Sequence, residues 1–155
     1  MAVKLTLGLK KVLFQHCMDY VDEKIESETQ AIKDAQDAAN EETKSSAGDK
    51  YETTRAMMHL EEEKYATQLI ESIKLKKVLS QIDIKKEYNE VQPGCVVTTN
   101  IGNYFLAISA GEIMVEKECF KAISLAAPIG QALNKAKVKD EITFRDKTIV
   151  IKSII

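Results

Sequence analysis

The chain has 155 residues, 45% hydrophobic and 30% charged, with a net charge of −2, a composition that fits a soluble globular protein. Aromatic residues make up only 6% and Trp is absent, which argues against a large aromatic-lined pocket, and no apolar run is long enough to span a membrane. Residues 1–90 carry 14 basic and 18 acidic side chains and residues 91–155 carry 8 and 6, so no basic stripe for direct duplex binding is present.

At the N-terminus, Lys4, Lys10 and Lys11 interrupt Leu5, Leu7 and Leu9, without the apolar core and cleavage site of a signal peptide. A cytoplasmic location is expected. Cys17, Cys95 and Cys119 are widely spaced and form no CxxC pair, and only His16 and His59 could supplement them. They are expected to be small buried or half-buried hydrophobes in a reducing compartment, with no resident metal or cofactor.

Gly and Pro punctuate the chain. Neither occurs between Leu9 and Ala47, nor between Asp49 and Gln92, and both stretches are rich in helix formers. Cys17, Val21, Ile25, Ile32, Ala35 and Ala39 recur at helical intervals in the first, as do Met58, Tyr65, Leu69 and Ile73 in the second. Two long antiparallel helices are predicted over 1–84, with a polar tip at about 41–50. Ser46 followed by Asp49 reads as a capping box opening the second helix. A helix of about 30 residues is about 45 Å long, enough to reach beyond a small domain at its base.

A polar connector follows at 85–93, and Pro93-Gly94 forms a turn into a β-rich domain, 94–155. Strands are predicted at Cys95–Thr99, Asn103–Ser109, Phe120–Ser124, Glu141–Phe144 and Thr148–Ile154, each short, β-branched and bounded by turn residues. One short helix, about Ile129 to Ala136, is entered through Pro128. The fold class is therefore α+β: a coiled-coil hairpin, then a small antiparallel β domain with one short helix.

No phosphate-binding glycine loop, HExxH or GxSxG motif occurs, and neither histidine sits in a context that would make it the base for a cysteine nucleophile. An enzyme is not expected. Glu41, Glu42 and Asp49 around the tip are the most suggestive group. They could present carboxylates to a metal or a basic surface, or simply be solvated charges and a helix cap. The segment Ala122–Leu133, joining a strand to the short helix, reads either as structural or as an apolar docking patch around Pro128.

That last segment carries a resemblance. Ile123-Ser124, Pro128-Ile129-Gly130, Ala132-Leu133 and Val138-Lys139-Asp140-Glu141-Ile142, before a final strand at Thr148–Ile154, resemble the C-terminal domain of the GreA/GreB transcript cleavage factors. The hairpin and the order of the parts match too, and the Glu41–Tyr51 tip is similar to the short Gre-like proteins of Bacteroidetes. The resemblance implies an FKBP-like C-terminal domain and a partner, RNA polymerase, bound at its secondary channel. Nucleic acid would be met only through polymerase. Ser124, Pro128 and Ile129 would dock, and the tip would act on elongation or backtracked complexes. The one metal implied is Mg²⁺ shared with polymerase at Glu41, Glu42 and Asp49. Where family tips carry an Asp and a Glu before the tyrosine, counted from Tyr51, this chain has Lys44 and Ala47, and a cation there opposes metal capture. The family's Asp-Ser-Pro reads Ala126-Ala127-Pro128, and its Gly before Asp140 reads Lys139. The competing expectation is a hairpin interaction module unrelated to polymerase, either monomeric or weakly homodimeric.

Overall fold

The computed structural model describes the backbone over residues 4–42 and 48–155, and side chains over 4–41 and 52–155. Helix α1 runs Leu7–Glu42 and α2 runs Gly48–Ser80, and past Gly8 in the first turn of α1 and Gly48 at the start of α2 neither contains a breaker. Thr6 starts α1: its Oγ1 accepts the Leu9 backbone N–H at 3.1 Å, satisfying a donor that has no partner within the helix. The proposed Ser46–Asp49 capping box and the turn at 43–47 lie outside the described residues. At its other end α2 stops at Ser80 rather than near Ile84. There Asp83 Oδ1 accepts the Lys85 N–H at 3.0 Å, drawing the chain into a turn that competes with helix.

The chain divides into two compact units whose borders fall inside the helices. One is Val21–Lys76; the other combines residues up to Tyr20 with Lys77–Ile155. In Val21–Lys76 the two helices pack side by side. Val21, Glu28 and Ala35 of α1 are buried at seven-residue spacing, and Met58, Tyr65 and Ser72 of α2 repeat at the same interval. The apolar stripe expected in α1 is therefore interrupted by a carboxylate. Ser72 Oγ donates to Glu28 at 2.7 Å (Oε1) and 3.1 Å (Oε2), giving the buried Glu28 a partner from the opposite helix. Lys76 Nζ to Asp22 (2.8 Å) and Gln36 Nε2 to Glu62 (2.9 Å) tie the helices together at the flanks.

In the other unit the strands are β1 (Val96–Thr99), β2 (Asn103–Leu106), β3 (Gly111–Val115), β4 (Glu118–Ile123), β5 (Glu141–Phe144) and β6 (Lys147–Ile154). Helix α3 (Pro128–Leu133) lies between β4 and β5. The sheet order is β3-β4-β2-β1-β6-β5, antiparallel except for the parallel β2–β4 pair. Val97, Tyr104, Leu106, Ile149 and Ile151 gather with Val91, Cys95, Leu133 and Ala136 into one core. Val96 opposite Phe105, Phe105 opposite Ala122 and Ile113 opposite Phe120 place a second buried set on the reverse face. Central strands buried on both faces explain why Tyr104–Leu106 reads as a continuous apolar run.

Strand β3 was not anticipated from the sequence. It is an edge strand with only Ile113 buried, so it lacks an apolar alternation. Its turn to β4 is Glu116-Lys117, both left-handed (φ 49° and 71°) without the usual Gly or Asn. The residues expected to extend β2 to Ser109 instead lead into this hairpin. Helix α3 ends at Leu133, short of the expected Ala136, as the chain turns at Asn134.

Candidate functional site

The hairpin tip and the β4–α3 corner, the two candidate sites in the sequence, are treated differently by the structure. At the far end of Val21–Lys76, Glu41 is exposed in the last turn of α1, Glu42 closes that helix, and Asp49 lies in the first turn of α2. The side chains of Glu42 and Asp49, like Lys44 and Ala47, are outside the described ones. Among the described residues no group of three His, Cys, Asp or Glu could hold a metal ion.

The β4–α3 corner is fully defined. Ser124 organises it: its N–H donates to Ser109 Oγ (3.2 Å), its Oγ accepts the Ala126 N–H (3.0 Å), and its carbonyl accepts the Ala127 N–H (3.1 Å). Pro128 then opens α3 at the one place where a missing N–H costs nothing. Gln131 Nε2 donates back to the Ala126 carbonyl at 3.0 Å, closing the loop onto the helix. Gly130 is what lets strand end and helix meet. A Cβ there would overlap the Ser124 carbonyl oxygen and lie 2.8 Å from Leu125 Cα. The three expected docking residues thus separate by role. Pro128 is exposed, Ser124 is half-buried with its hydroxyl engaged, and Ile129 packs against the core beside Ile123 and Leu125.

Sequence reasoning passed over Lys10, which is fully enclosed at 0% exposure. Its Nζ donates to the Lys86 carbonyl at 2.7 Å and lies 4.8 Å from the Tyr88 ring centroid, in cation–π range. Burial lowers the Lys10 pKa, and the nearby Cys95, Glu87 and Asp83 partly offset that. The start of α1 is thereby fastened to the connector that leads into β1. A signal was present: Lys10 precedes the buried Cys17 by seven residues and Cys17 precedes the buried Val21 by four, spacings that put all three on one face of α1.

Cys17 and Cys95 are buried and Cys119 half-buried, all three as free thiols. A polar cleft near the β1–β2 turn includes Asn103, Glu118 and Lys152. Asn103 is committed there to the Cys119 carbonyl (3.3 Å) and Glu118 (3.5 Å), and the Thr98 and Ser153 hydroxyls bond to each other. Thr98, Ser153, Asn103 and Glu118 in this cleft are thus bonded within the protein. Among the described residues, no helix is long and apolar enough to cross a membrane. No family model matches the sequence, and neither curated proteins nor solved structures gave a match.

Proposed function

We propose that this chain is a Gre-like regulator that binds bacterial RNA polymerase and modulates elongation or backtracked complexes without being an enzyme itself. The observation that carries the reading is the β4–α3 corner. Gly130 holds α3 against the end of β4, leaving Pro128 exposed on a braced lip within the segment that resembles the family's docking region. The order of parts, a long helical hairpin followed by a small sheet with one helix, supports it as well. The hairpin tip is the part that would meet the polymerase channel. With Lys44 and Ala47 in place of two acids, its action is steric and electrostatic rather than delivery of Mg²⁺.

Pull-down with core polymerase at low salt tests the docking. The wild type should be retained and Pro128→Glu released, and no capture of the wild type at low salt overturns the reading. Cleavage is tested separately on a stalled complex, comparing the wild type with Glu41→Ala/Glu42→Ala/Asp49→Ala. The expected result is no stimulation by either protein. Stimulation by the wild type that the triple variant loses would restore a metal-delivering tip.

A further inference from the structure

Within Val21–Lys76 the two helices differ on the side away from each other. Among the described residues of α1 in this unit no large apolar side chain is exposed, whereas α2 exposes Met57, Leu60, Ile70 and Ile73, each by more than half. Leu60, Glu63, Thr67, Ile70 and Lys74 recur at alternating three- and four-residue steps, all exposed. This is a second heptad seam, offset by two residues from the Met58–Tyr65–Ser72 seam that faces α1, so it lies on the opposite side of α2. Thr67 fits an apolar role here, because its Oγ1 donates to the Glu63 carbonyl at 2.9 Å and its hydroxyl hydrogen is already used.

We infer that this seam pairs with the same seam of a second copy, antiparallel, about a two-fold axis passing α2 between residues 68 and 69. The charges select both occupant and direction. In that register Glu63 faces Lys74 of the other copy at both ends of the paired stretch and Thr67 meets Ile70 in the two layers between, while Leu60 lies outside that stretch, opposite Lys77. A parallel pairing would set Glu63 against Glu63 and Lys74 against Lys74. A two-fold contact makes each favourable pair twice, as self-complementary surfaces do. The existing Lys74–Glu71 pair, at 3.1 Å with both side chains about two-thirds exposed, is a weak surface contact and leaves Lys74 available. This inference is independent of the polymerase reading.

The test is sedimentation or light scattering of the full chain over a wide concentration range. A reversible monomer–dimer equilibrium is expected. Ile70→Glu, at an exposed position that leaves the helix content seen by circular dichroism unchanged, should raise the dimer Kd by about tenfold or more. Glu63→Lys and Lys74→Glu should each weaken the dimer alone, yet associate with one another when mixed, since every cross-pair is then opposite in charge. A chain that stays monomeric throughout overturns the inference and leaves the seam to a different partner. A dimer indifferent to Ile70→Glu, or one that the mixed charge variants fail to restore, overturns it equally.

Discussion

Gly130 and Lys139 show how backbone conformation at single positions decides what a side chain is worth. At Gly130 the obstacle is space, since a methyl group would strike the Ser124 carbonyl. Gly130→Ala should destabilise the protein by about 2 kcal/mol or more, measured by denaturant unfolding, because the neighbour it meets is backbone and cannot swing aside. Lys139 is the converse, a side chain where glycine would be easier. It sits at φ 77° in a turn closed by the Asp140 carboxylate, which accepts the Lys137 N–H at 2.8 Å. Lys139→Gly should therefore stabilise by about 0.5–1 kcal/mol in the same measurement, by removing left-handed strain. The Pro128-Ile129-Gly130 motif was legible in the sequence, but the reason for its glycine was not. That reason is a contact between residues six apart, visible only once the strand end and the helix are placed together.

Among the elements, the helical pair holds a polar layer in its seam. Ser72→Ala would strip the buried Glu28 of its hydroxyl partner and should cost about 1–3 kcal/mol. The double variant Glu28→Leu/Ser72→Ala should recover that loss, since an apolar layer needs no partner. Thermal unfolding of the three proteins checks the order: single variant lowest, double variant at or above the wild type. The helices themselves were readable because two long stretches lack any breaker. Glu28 was not, because a carboxylate on a helix is usually solvated, and its burial here rests on partners that include the facing Ser72 and Lys24 one turn earlier, 3.9 Å away. Strand β3 escaped for the opposite reason: an exposed edge strand needs little apolar patterning. Its cross-strand partner geometry, Glu112 opposite Lys121 at 4.0 Å, emerges only with the register.

For the whole molecule, the shift from helix-forming to β-branched composition told where one kind of element gives way to another. It did not tell where the chain divides into compact units, because those borders fall inside uninterrupted helices and depend on which side chains touch. The unit that contains the sheet also encloses two thiols, with a consequence for stability against pH. Burial pushes Cys17 up to about 12 and Cys95 up to about 11 from an ordinary value of 9.0, and it also raises Tyr88 and Tyr104. Groups that hold their protons longer when folded contribute stability that is complete below their unfolded pKa and is lost as pH rises through the folded one. Lys10, lowered by burial, works with the opposite sign but is a single group against four. Denaturant unfolding across pH 9–12 should show a net decline in stability, and Cys17→Ala/Cys95→Ala should make that decline shallower even though it starts lower.

Lys10 has one more consequence, for chemistry applied from outside. It is the only buried lysine among the described residues, its ammonium held between a carbonyl and an aromatic ring. An amine-directed acylating reagent should modify the exposed lysines promptly and Lys10 only during moments when the start of α1 parts from the connector. Peptide mass analysis over time would then read the Lys10 acylation rate as the opening frequency of that junction. Tyr88→Ala, which removes the ring, should quicken Lys10 acylation while leaving the rate at Lys33 or Lys64 unchanged.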